Sequence, residues 1–183
     1  MSSKGKKQGK MKESGKKKGS VKKITVLDAN AVIRSSLDFR KGGYLIPSMV
    51  VWELTDYMVS VAVEEAVENK LIRILEPGKG YVKKAVDAAR GIGELDVLSE
   101  PDIHVLALAL EHQARVASDD YAVQNTALKL NLEVASTFFE SISERREYVY
   151  KCYGCGREYK HRVSACDFCG SGVRKSVKSR LRP

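Results

Sequence analysis

Apolar positions in the first three-quarters of the chain fall in short blocks that alternate between two periods. Ile24–Leu27 is a four-residue apolar run that predicts a strand, and Ala29–Ser36 behind it has helical spacing. Tyr44–Ile46 predicts a second strand closed by Pro47, with Ser48 placed to cap a helix running to about Tyr57. Further on come a helix over Val59–Asn69, a strand over Leu71–Leu75 and a helix over Val82–Arg90 that ends at Gly91. A strongly apolar helix over Asp102–Glu111, a strand over Ala114–Ala117, a helix over Tyr121–Leu130 and a strand over Leu132–Ala135 complete the series. Short strands alternating with helices predict an α/β domain whose parallel sheet is covered by helices on both faces.

That domain spans 23–140. Residues 1–22 are almost wholly Lys, Gly, Ser and Gln, a composition that cannot bury enough apolar surface to offset its ordering entropy, so a disordered tail is expected. The charged stretch 141–148 reads as a linker, 149–173 as a small second module, and 174–183 as a basic tail. The formal charge of +9 is unevenly distributed. Residues 1–23 hold ten lysines against Glu13 alone, residues 24–150 carry a net −7, and residues 151–183 a net +7. An acidic body between basic ends excludes a uniformly basic nucleic-acid binder. It suits a protein that grips a polyanion while keeping a cation-binding pocket. Asp28 interrupts the apolar run at Ile24–Leu27, so no secretory signal is expected, and no run is long enough to span a membrane.

The acids supply the candidate chemistry. Asp28 ends the first strand, Glu53 lies one turn into the second helix, Asp102 opens the apolar helix, and Asp119 and Asp120 follow the strand Ala114–Ala117. In a parallel sheet the carboxyl ends of the strands form one rim, where ligands bind. Carboxylates gathered there repel one another, and a divalent cation such as Mg²⁺ or Mn²⁺, which favours oxygen ligands, relieves that repulsion. Each acid also has a structural use. Ser99 and Asp102 fit a capping box, Asp28 can cap its helix, and Asp119 and Asp120 suit a helix dipole. Glu53 lies past the usual capping positions.

All four cysteines fall in two Cys-x-x-Cys-Gly knuckles, Cys152/Cys155 and Cys166/Cys169, separated by ten residues. Four thiolates at this spacing select tetrahedral Zn²⁺ and predict a structural zinc ribbon in a reducing, cytoplasmic compartment. Arg157, Lys160, Arg162, Arg174 and Lys175, interleaved with Tyr153, Tyr159 and Phe168, make the module a candidate RNA-binding surface.

Four motifs stand in order: Leu27-Asp-Ala-Asn30, Ile46–Leu54, Leu98–Leu108 and Ser118-Asp-Asp-Tyr-Ala-Val-Gln-Asn125. In order and spacing they resemble a PIN-domain nuclease. With the cysteine pairs they resemble the archaeal branch of the NOB endonucleases, which mature the 3′ end of small-subunit ribosomal RNA. The resemblance covers roughly residues 24–172. It implies a PIN-like fold with a C-terminal zinc ribbon, and an endoribonuclease using Mn²⁺ or Mg²⁺ within a pre-ribosomal small subunit. It also implies that Asp28, Glu53 and Asp102 bind the catalytic metal. The Ser-x-Asp pattern selects Asp120 as the fourth acid, with Asp119 as an adjacent ligand or a supporting acid. Asn30, and Gln124 or Asn125, are candidates for orienting water or phosphate. Two other readings are a PIN-type toxin ribonuclease and a non-catalytic RNA-binding assembly factor whose acids are only helix caps.

Overall fold

The structure, a computed structural model, describes residues 23–34, 39, 43–135 and 144–181. Five strands build the main sheet: β1 (Thr25–Leu27), β2 (Tyr44–Pro47), β3 (Ile72–Leu75), β4 (Arg115–Ala117) and β5 (Val134–Ala135). All pair in parallel, in the order β3-β2-β1-β4-β5. Every residue of β1 is buried, as a strand sandwiched between helical layers requires. The helices are α1 (Ala29–Arg34), α2 (Ser48–Glu53), α3 (Tyr57–Glu68), α4 (Lys79–Ile92), α5 (Glu100–His112) and α6 (Tyr121–Lys129). Helix α5 packs on β1, β2 and β4 and is flanked by α4 and α6, with Val105–Ala109 fully buried. This central position explains why its sequence is apolar on nearly every side.

The chain lays β2 and β3 on one side of β1, then returns to place β4 and β5 on the other. The strand order therefore reverses between β1 and β4, and the crevice at their carboxyl ends is the natural ligand position of such a sheet.

The helix expected from Ser48 to about Tyr57 ends earlier, at Glu53, and the one expected over Val59–Asn69 begins earlier, at Tyr57. Pro47 takes the N-cap position of α2 without a side-chain bond, Ser48 is already helical, and the helix stops at Leu54. Asp56 then starts α3 by accepting the Val59 amide at 3.1 Å, a capping bond that the apolar spacing across the break conceals. Helix α4 likewise runs through Gly91 and ends at Gly93, which has a left-handed φ of 73°. A Cβ at Gly93 would lie 2.6 Å from the Tyr148 carbonyl oxygen, so glycine is required there by handedness and by close packing.

The C-terminal part forms an antiparallel sheet of β6 (Arg145–Cys152), β7 (Glu158–Tyr159) and β8 (Val173–Leu181), in the order β7-β6-β8. The expected boundaries need correction. Residues 145–148, read as linker, begin β6, and residues 174–181, read as basic tail, belong to β8. Frequent charges in Arg145-Arg-Glu147 and Arg174–Arg180 disguise both strands, which are stabilised by pairing with each other and by β6 packing on α4 and α6. The expected tail 1–22, the helix end at 35–36, linker residues 141–143 and residues 182–183 lie outside the described residues. Among the described residues no helix is long and apolar enough to cross a membrane.

Candidate active site

Asp28 is the first residue beyond β1, and its amide donates to the Ala117 carbonyl at 3.2 Å, tying the end of β1 to that of β4. Its side chain is only 4% exposed and accepts hydrogen bonds from the Ala31 amide in α1 and the Ser118 hydroxyl. Burial pushes its carboxyl up to about 6. The Ser118 and Ala31 bonds oppose that rise, and the charges of Asp102 and Asp119 add to it. Glu53, at the end of α2, is exposed, and its carboxyl is raised by partial desolvation and then by repulsion from Asp102.

Asp102 is the third residue of α5. It forms the expected capping box: Ser99 Oγ accepts the Asp102 amide at 3.3 Å, and Asp102 Oδ2 accepts the Ser99 amide at 2.9 Å. Capping and membership of the acid cluster are therefore compatible, because the same carboxyl repels both Asp28 and Glu53. Beyond β4 the two acids diverge. Asp119 acts on Asp28, whereas Asp120 caps α6, its Oδ1 accepting the Ala122 and Val123 amides at 2.6 and 3.2 Å. Ser118 is fully buried and links the two segments, since its Oγ accepts the Asp120 amide at 3.0 Å while its hydroxyl serves Asp28.

Asp102 thus repels both Asp28 and Glu53, and Asp119 repels Asp28, beside the reversal of strand order. The donor set is all oxygen, which suits Mg²⁺ or Mn²⁺. Among the described residues, no three of these carboxylates come within the 4.8 Å spacing that the four thiols achieve. That looser arrangement fits a cation retaining water and accepting substrate phosphate, as Mg²⁺ typically does.

The four cysteines are reduced, and their sulfurs all lie within 4.8 Å of one another. Cys152 and Cys169 are 3.5 Å apart, as are Cys155 and Cys166. Gly156 and Gly170 follow the two knuckles at φ of 77° and 72°, left-handed turns that glycine adopts without strain. The Tyr159 hydroxyl donates to Cys166 Sγ at 3.0 Å and is the main reason that thiol is lowered to about 6; Cys169 is lowered chiefly by Ser171. Although the Arg157 amide opposes it, burial and the neighbouring thiols push Cys155 up to about 11, and four sulfurs around one point can hold a tetrahedral metal ion such as zinc.

Comparison with known proteins identifies the family of the chain. Residues 25–111 match the family described as the PIN domain of ribonuclease, a span that includes Asp28, Glu53 and Asp102. The chain is 35% identical to endoribonuclease Nob1 of Methanocaldococcus jannaschii, over 88% of this chain and 82% of that protein. It is 38% identical to endoribonuclease Nob1 of Pyrococcus abyssi, over 81% of this chain and 91% of that one. The chain belongs to the PIN-domain endoribonucleases of the Nob1 group. Ribonuclease VapC1 of Thermoplasma acidophilum is also similar, 33% identical over 86% of this chain and 80% of its own length.

In this PIN-domain ribonuclease the expected RNA-binding cations divide into two sets. Lys160, Arg162 and Arg174 are exposed; so is Arg157, which pairs with Asp167 at 3.2 Å and lies 4.7 Å from the centre of the Phe168 ring. Lys175 is instead held by Glu94, at 2.6 Å, and lies over the Tyr148 ring. Glu94 is 2% exposed, and its other oxygen accepts from Asn125 Nδ2 at 2.9 Å. Asn125 also pairs with the Arg146 backbone in both directions at 2.8 Å. Asn125 is thus a clasp between α6 and β6, and it is fully buried, away from any role in orienting water. Gln124 likewise bonds inward, to the Ser118 carbonyl at 2.9 Å. Sequence reading missed Glu94 altogether, because an isolated glutamate after a helix carries no signal of a partner 81 residues away.

Proposed function

We propose that this endoribonuclease cleaves the precursor of small-subunit ribosomal RNA at its 3′ end, in the cytoplasm and within the pre-ribosomal small subunit. The carrying observation is the set of repulsions that joins Asp102 to Asp28 and Glu53, and Asp119 to Asp28, by the switch between β1 and β4, in a chain similar to Nob1 proteins over most of its length. In this reading those four carboxylates hold Mn²⁺ or Mg²⁺, and Asp120 positions Asp119 by capping α6. The bound cation supplies the positive charge that activates water and stabilises the phosphate as charge builds on it. Ser118 holds Asp28 in place, and the negative charge of the carboxylates discourages phosphates from settling there without a cation.

Zn²⁺ bound by Cys152, Cys155, Cys166 and Cys169 fixes the ribbon. Arg157, Lys160, Arg162 and Arg174 on the ribbon neutralise RNA phosphates that the acidic body would repel. The similarity to VapC1 favours a second reading, a ribonuclease with non-ribosomal targets. The test is cleavage, with Mn²⁺, of a labelled RNA spanning the small-subunit 3′ junction beside a length-matched scrambled RNA. A discrete cut confined to the junction is expected. Equal cutting of both RNAs would favour the second reading.

A further inference from the structure

Trp52 is the only tryptophan of the chain and is 80% exposed, although it sits in the same short helix as the buried Val50. Tyr57 follows the turn at 54–56 and is 77% exposed; Met58 beside it is 72% exposed. Apolar rings this open contribute little to the core. They stand on either side of the segment that carries Glu53, whose carboxyl is in electrostatic contact with Asp102. Trp52 directly precedes Glu53 in the last turn of α2, so one short element carries both the exposed ring and the acid.

We propose that Trp52, with Tyr57 across the turn, stacks unpaired bases of the RNA strand next to the phosphate being cleaved. The inference rests on the reading that RNA is cut at the carboxylate cluster. Residues 24–150 carry a net −7, so ionic attraction to the RNA backbone is weak around the cluster. Stacking needs no cation, because every base offers a π-face, and each base stacked on an aromatic ring is worth about 1–3 kcal/mol. Duplex bases are already stacked on one another and unavailable to the rings, so the same feature favours single-stranded RNA.

The experiment uses the full chain and a single-stranded oligoribonucleotide cut in the presence of Mn²⁺. Added to Asp28→Asn protein, the uncut RNA is expected to quench tryptophan emission, which reports Trp52 alone. In cleavage assays Trp52→Ala is expected to raise KM about tenfold, and Trp52→Phe to stay within about threefold of wild type. Circular dichroism of the variants checks that folding is intact. Wild-type cutting with an unchanged KM in Trp52→Ala and no quenching would overturn the stacking and leave the nuclease reading standing. Emission that changes with protein concentration in the absence of RNA would also overturn it, marking the ring as a contact between copies. Absence of any cut by wild type would instead count against the nuclease reading on which the inference rests.

Discussion

At the scale of single residues, the account turns on Asp28. Its carboxyl titrates near 6 because burial and two acidic neighbours disfavour its charge. The distance from its ordinary value near 3.8 amounts to roughly 3 kcal/mol between the two protonation states. A raised carboxyl pKa stabilises the fold at low pH, and that stability is lost as pH rises through about 6. Without divalent metal, thermal unfolding is therefore expected at a lower temperature at pH 7.5 than at pH 5, and Asp28→Asn should reduce that difference. Cation binding needs the ionised form, so Mn²⁺ affinity measured by calorimetry should be about tenfold weaker at pH 5 than at pH 7.5. The pair beyond β4 allows a second residue-level comparison. Asp119→Asn should weaken Mn²⁺ binding with little effect on unfolding, whereas Asp120→Ala, which removes the cap of α6, should cost about 1 kcal/mol of stability. Equal Mn²⁺ affinity in wild type and Asp119→Asn would remove Asp119 from the site.

At the scale of elements, the strongest new feature is the clasp that fixes β6 and β8 to α4 and α6. Lys175→Met would leave the buried Glu94 carboxylate without its cation, a change expected to cost about 3 kcal/mol in chemical denaturation. Faster hydrogen exchange along β6 should accompany it, because Asn125 bonds both to Glu94 and to the Arg146 backbone. Unaltered exchange in β6 would show that the clasp is not what holds the sheet to the nuclease domain. The strands and helices of the parallel domain are legible in the sequence because apolar runs such as Thr25–Leu27 and Val105–Ala109 report burial directly. The β6 and β8 strands are not, since Arg146 and Lys175 sit in strands and satisfy partners distant along the chain. Local composition carries no trace of such pairings. The placement of the acids at strand and helix ends is legible in the sequence, but which of Asp119 and Asp120 caps α6 is not. The distinction between Asp119 and Asp120 depends on which carboxylate turns into the first turn of α6, and adjacent identical residues cannot show that.

At the scale of the molecule, an acidic catalytic body is joined to a basic module, and the two depend on metal in different ways. A sheet of about 35 residues has too little apolar interior to hold itself together, so removing a structural metal should loosen the cysteine knuckles while the parallel domain stays folded. One zinc per chain is expected by elemental analysis and should be lost in Cys166→Ser. A strong chelator should remove RNA binding through Arg157 and Lys160 and leave the helical circular dichroism largely unchanged. Loss of all helical signal on chelation would contradict this independence.

The central claim is that the four converging carboxylates cut RNA with the help of a divalent cation. Its most direct test compares wild type with Asp28→Asn on one labelled junction RNA, with Mn²⁺ and with EDTA. The account expects a single cut by wild type in Mn²⁺, none in EDTA, and none by the variant, although the variant still binds the RNA. Cleavage by Asp28→Asn at the wild-type rate, or cleavage undiminished by EDTA, would contradict it.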